Sequence, residues 1–134
     1  MKINIVNLNT GELLKILEKH EMEITSVLTV RKNNLLISSS KDSSILIWNL
    51  STGEILKSLN KHNGIIYAIA LTKNEEILVS ASSDFNIILW DFEKGEELKR
   101  FYIEKEWQYS LCFSQEGYLI SATFNGKLRF WNIE

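Results

Sequence analysis

Histidine, serine and aspartate recur together twice in this 134-residue chain. His20, Ser38 or Ser40, and Asp42 make one set. His62, Ser80 or Ser82, and Asp84 make the other, each member 42 residues after its counterpart. These are the side chains that serve as base, nucleophile and orienting acid in acyl transfer. The duplication argues against that use, because an active site is normally singular and no Gly-x-Ser-x-Gly elbow is present to expose a nucleophile. His20, His62 and Cys112 are metal-ligand types. The two histidines are locked to the repeat, however, and no carboxylate–histidine spacing supports a site. No Gly-rich phosphate loop occurs. The expectation is therefore no catalytic residue, no metal and no cofactor.

The elements that must hold these residues follow from the repeat itself. Trp48, Trp90 and Trp131 lie 42 and 41 residues apart, and Gly11, Gly53 and Gly95 lie 42 apart. Asn125 stands where a third Asp would be. Overlaying residues 7–48 on 49–90 without a gap gives 17 identities in 42 positions. Within the second unit, residues 53–59, 65–71, 77–82 and 86–92 read as strands. They are separated by Asn63-Gly64, Lys73-Asn74-Glu75, Ser83-Asp84-Phe85 and Glu93-Lys94-Gly95, all rich in turn formers. Short strands at intervals of about ten residues mean an all-β antiparallel chain. The 17 isoleucines and the lack of long helical periodicity agree. Four strands per unit, stacked serially, is the pattern of β-propeller blades. Charged Glu12, Glu54 and Glu96, with Lys15, Lys57 and Lys99, fall on the outermost strands and read as a solvated rim guarding a sheet edge.

The unit resembles the WD-repeat family. Ser38-Ser39-Ser40-Lys41-Asp42 leading to Ile47-Trp48-Asn49 is similar to that family's strand–turn–strand segment. The segment from Leu78 ends in Trp90-Asp91 itself, and Lys19-His20 and Lys61-His62 stand where Gly-His is usual. The resemblance implies that His, one of the two Ser, Asp and Trp form a buried hydrogen-bonded set inside each blade. Here that set is His20, Ser38 or Ser40, Asp42 and Trp48, then His62, Ser80 or Ser82, Asp84 and Trp90. A buried indole N–H needs an acceptor and a half-buried carboxylate needs donors. The third unit departs from the pattern, with Glu104 as the gapless counterpart of His62. Asn125-Gly126 makes its turn, so a weaker or rewired set with Trp131 is expected. Family order, from inner strand a to outer strand d, divides the chain. Residues 1–20 hold strands c and d of a first blade, 21–62 and 63–104 are whole blades, and 105–134 hold strands a to c of a last one. That makes 13 strands, about three blades and an incomplete ring, since propellers close with roughly 4–8 blades. The exposed end faces would be covered by more of a longer array, by copies of the chain, or by another protein's propeller. The mid-blade breaks favour an excerpt of a longer array.

Composition is ordinary for a globular chain, with 45% hydrophobic and 24% charged residues, which argues against disorder. Fifteen Lys and Arg against 17 Asp and Glu leave a net charge of -2 and no overall attraction for nucleic acid or anionic membrane. The longest apolar run, residues 65–71, is far short of a spanning helix. Met1-Lys2-Ile3-Asn4 opens directly into strand-like sequence with no apolar signal region and no cleavage site, so a secretory signal is not expected. The single cysteine, Cys112, lies in an apolar stretch and reads as a small core residue. A cytoplasmic or nuclear protein-interaction scaffold is the expectation, binding peptides or domains through surfaces at the loop ends. A regulatory or sensor domain of a larger enzyme and an RNA-associated propeller are the alternatives. Residues that break the repeat carry such a function, since the repeated ones serve the fold. Near the His and Asp loops these are Met22, Tyr67, Phe85, Trp107 and Phe124. Packing between blades is the competing role for Tyr67 and Trp107. Phe85 and Phe124, beside the turn, are expected to be exposed.

Overall fold

The computed structural model describes residues 1–133. The strands are β1 (Lys2–Val6), β2 (Leu13–Glu18), β3 (Ile24–Val30), β4 (Leu35–Ser40), β5 (Ile45–Asn49), β6 (Ile55–Leu59) and β7 (Ile66–Leu71). They continue as β8 (Ile77–Ser82), β9 (Asn86–Asp91), β10 (Glu96–Tyr102), β11 (Gln108–Phe113), β12 (Leu119–Thr123) and β13 (Leu128–Trp131). All neighbours pair antiparallel in chain order, giving sheets β1–β2, β3–β6, β7–β10 and β11–β13. Among the described residues there is no helix.

The repeated glycines and asparagines have a local cause. Between β5 and β6 the Asn49 side-chain oxygen accepts from the amides of Ser51 and Thr52. Gly53 then takes φ +81° and donates to the Asn49 carbonyl at 2.7 Å. A side chain is disfavoured at that left-handed angle, so the turn reuses Gly every 42 residues. The strands between turns are apolar on both faces because each inner sheet lies between two others. Ile37, Ile45 and Ile47 of the second sheet pack on Ile66, Ile69 and Trp90 of the third. Val79, Ile87 and Leu89 on the other face of the third sheet meet Leu119, Leu111 and Phe113 of the fourth. Leu36, Leu46 and Trp48 receive Ile3, Ile5 and Leu17 of the first. The first strands of successive sheets, β3, β7 and β11, lie beside one another. The sheets thus fan out from a common side, as blades around an axis.

The stack is open at its end. Leu128 pairs with Ala122 as Ile87 pairs with Ala81, and Phe130 with Ile120 as Leu89 with Val79. Ile87 and Leu89 are 0% and 3% exposed, whereas Leu128 and Phe130 are 65% and 67% exposed. The difference arises because a sheet covers the first pair and, among the described residues, none covers the second. Cys112 follows the same logic and corrects the sequence reading. It is exposed, while its counterpart Ala70 is buried against the fourth sheet. The apolar context that suggested a core position belongs to a face with no neighbour.

The lysine rim also needs correction. Lys15 Nζ, on the outer strand of the first sheet, donates to the carbonyls of Leu50 (2.7 Å) and Ser51 (2.5 Å) of the second. Lys57 Nζ reaches the carbonyls of Phe92 and Glu93 of the third sheet in the same way. The long stems carry the ammonium across the seam to carbonyls left over at the next sheet's turn. Lys99 is exposed and sits 4.8 Å over the Phe101 ring. Glu12, Glu54 and Glu96 are exposed as a rim requires.

Candidate functional site

The repeated polar residues meet inside the blades. Ser38 and Ser80, on the second strands, are 0% exposed. Trp48 Nε1 donates to Ser38 Oγ and Trp90 Nε1 to Ser80 Oγ, each at 2.8 Å. His20 Nε2 lies 2.7 Å from Ser38 Oγ, and its Nδ1 lies 2.9 Å from Asp42 Oδ2. His62 repeats this with Ser80 at 2.7 Å and Asp84 at 2.8 Å. A carboxylate only accepts, so the hydrogen of Nδ1 points to Asp, and Nε2 accepts from the serine hydroxyl. That chain is the order of a hydrolase triad. Here the hydroxyl is closed off beneath an indole, and its oxygen is already accepting the Trp N–H. Ser40 and Ser82 have a different task. Their hydroxyl oxygens accept from the amides of Asp42 and Asp84, and Ser40 Oγ donates to the Met22 carbonyl.

The two aspartates are held ionised by their surroundings. Burial pushes Asp42 up, but hydrogen bonds from the Ser44 hydroxyl and amide, His20 and the Glu21 amide outweigh it, and its pKa falls from 3.8 to about 2. Burial opposes ionisation of Asp84 too. His62 and the amides of Asn63 and Asn86 prevail and hold it well below the ordinary carboxylate range. Each aspartate therefore ties a loop, a histidine and a turn together.

The third set is rewired. Trp131 Nε1 donates to Ser121 Oγ at 2.9 Å, and Ser121 Oγ donates to Gln108 Oε1 at 2.6 Å. Gln108, a buried residue of β11, stands against the serine where a histidine does in the other two. Glu104, the gapless counterpart of His62, is exposed. Gln108 Nε2 is buried without a hydrogen-bond partner, so this set is less completely satisfied. Asn125 Nδ2 reaches Glu106 Oε1 at 3.2 Å, and Glu106 also takes hydrogen bonds from Arg129 and Lys127. A gapless overlay sets Gln108 against Ile24 and Ile66, apolar first residues of their strands, and so gives no sign of this role.

Four of the five repeat-breaking residues come together at the end that carries the His loops and Asp turns. Trp107 is central. Phe85 stacks on it with centroids 6.1 Å apart and 22° between planes. Tyr67 lies 6.2 Å away and Phe124 meets it edge-on at 6.1 Å. Phe124 is 78% exposed and Trp107 38%. Phe85 differs from expectation. It is half-buried between Trp107 and Tyr102, because its turn position has φ +64° and its ring finds two aromatic neighbours there. Met22 is exposed on the corresponding loop of the second sheet and lines neither hollow described next.

Two hollows of about 330 Å³ each share the Trp107 and Phe124 rings. One is walled by these with Tyr67 and Tyr109. The other is completed by Phe85, Lys105, Glu106 and Asn125. Tyr109 was absent from the sequence candidates, although a signal existed. Thr25, Tyr67 and Tyr109 are spaced by 42, and each sits at a register shift in the first strand of its sheet. A bulged residue is released from the ladder and re-aimed.

No curated protein matches the chain. A family model described as the NWD2 C-terminal beta-propeller matches residues 14–127, which span every complete sheet of the stack. The chain belongs to the NWD2 C-terminal beta-propeller family.

Proposed function

We propose that this propeller segment is a non-catalytic protein-interaction scaffold of the WD-repeat type, working inside the cell, in cytoplasm or nucleus. It binds a peptide or protein domain through the loop end around Trp107 and takes further blades on its open faces. The observation that carries the reading is a division of labour. Ser, His and Trp at repeating positions are buried, Asp is half-buried beside them, and all are joined by hydrogen bonds. Aromatic residues that break the repeat gather at one end, where Trp107 and Phe124 face solvent. Exposed aromatic clusters flanked by hollows are the usual anchors of recognition. Family membership supports a propeller whose use is interaction.

A displayed peptide library panned against the chain and against Phe124→Asp tests the binding half. Enriched peptides that ignore the substitution would move the site elsewhere. The open face of the fourth sheet supports the need for further blades, since covering Leu128 and Phe130 would contribute roughly 1.5–3 kcal/mol each. Light scattering tests that half: a folded monomer at micromolar concentration would contradict it.

A further inference from the structure

We infer that the paired hollows flanking Trp107 bind a proline-rich segment in the polyproline II conformation. The inference rests on the interaction reading above and gives it a ligand chemistry. Trp107 and Phe124 form an aromatic ridge with a hollow on either side, and the hollow towards Tyr67 and Tyr109 is walled by aromatic side chains alone.

Three of the four tryptophans donate Nε1 to a serine. Among the described residues nothing accepts from Trp107 Nε1, and the Tyr67 and Tyr109 hydroxyls also have no protein partner. The site therefore offers flat apolar faces together with uncommitted donors. A polyproline II strand is the complement. Its carbonyls make no internal hydrogen bonds, and its rings are flat and apolar. With three residues per turn and a rise of 3.1 Å, it presents the same face about every 9 Å. Two neighbouring hollows that share the Trp107 and Phe124 rings offer successive turns of such a strand two places to set a ring. Such a ligand is already ordered, so a shallow site suffices to hold it.

Charge argues against a cationic occupant of the same aromatic walls. Glu106 is engaged by Arg129, Asn125 and Lys127, and Glu104 pairs with Lys105 at 3.6 Å. Glu106, the carboxylate lining one of the hollows, is thus already matched by two cations, Arg129 and Lys127, and an incoming ammonium would add a third.

The test is a titration of the ¹⁵N-labelled chain with a proline decamer, a Gly-Ser decamer and a peptide carrying trimethyl-lysine, reading the four indole N–H signals. The expected result is a saturable shift of the Trp107 signal with the proline peptide alone, the other three holding still. Phe124→Ala should weaken this binding about tenfold without a change in melting temperature, since the ring is 78% exposed. Absence of a saturable shift at millimolar proline decamer would overturn the inference, as would equal binding of the trimethyl-lysine or Gly-Ser peptide. If a library-selected peptide without proline shifts Trp107 while the decamer does not, the interaction reading stands and the proline assignment falls. If neither does, both fall.

Discussion

Replacing Asp84 by Ala removes the acceptor at the centre of the best-formed network. Its Oδ2 accepts from His62 Nδ1 at 2.8 Å and from the Asn63 amide at 3.0 Å, and its Oδ1 accepts from the Asn86 amide at 2.9 Å. The Asn63 amide lies at the surface, where water can take over, and the Asn86 amide is part-buried at the turn. The His62 side chain, 1% exposed, is stranded. A hydrogen bond to a charged group contributes ~1.5–3 kcal/mol, and a stranded buried donor costs ~1–3 kcal/mol. These overlap, so a loss of about 3 kcal/mol is expected. For a chain of 134 residues that lowers the melting temperature by about 10 °C. Thermal and urea unfolding followed by circular dichroism would measure it. A double-mutant cycle with His62→Ala isolates the pair, with an expected coupling of about 1.5 kcal/mol or more. Proline-peptide binding at low temperature should be unaffected. A melting shift under about 2 °C, or strictly additive single and double variants, would refute the structural role assigned to this aspartate.

Acid should loosen the fold through the same carboxylates. Asp42 has its pKa lowered to about 2 against 3.8, so the unfolded chain takes up the proton first. The stabilisation is whole above about pH 4 and disappears as pH falls through 2, a loss of about 2 kcal/mol. Asp84 acts in the same direction. Urea midpoints between pH 7 and 2.5 should fall less steeply in Asp42→Asn than in the parent chain. Phe85 adopts a left-handed angle that glycine tolerates better, so Phe85→Gly should be more stable than Phe85→Ala by about 0.5–1 kcal/mol. Equal urea midpoints would show the turn to be unstrained. Cys112 lies on the face that further blades would cover, so its reaction with a thiol reagent should speed up on dilution below the association range, and a rate independent of concentration would contradict the need for further blades.

The fold was largely legible because the repeat states it three times. The strand count, the turn residues and the pairing order all follow from the 42-residue spacing and its Gly, Asn and Trp. Most of the polar network was legible too, since types that must hydrogen-bond recur together. Which serine joins it was not. Ser38 and Ser40 point to the same face of β4, and only the distance to the indole separates them. Cys112 and Lys15 were misread for one reason: their surroundings are set by a neighbouring sheet, absent in one case and present in the other. No local pattern encodes that. Gln108 was hidden because the repeat places it at an apolar position, that of Ile24 and Ile66, and Tyr109 because a bulge looks like ordinary strand sequence. The aromatic end was named nearly whole, yet its centring on Trp107 needed coordinates.

The central claim is that repeated side chains serve architecture while those that break the repeat face a partner. Hydrogen exchange at the four indole N–H groups tests it most directly. Trp48 and Trp90 should exchange slowest, Trp131 at the open end faster, and Trp107 at once. Protection of Trp107 equal to that of Trp90, or immediate exchange at Trp48 and Trp90, would contradict the account.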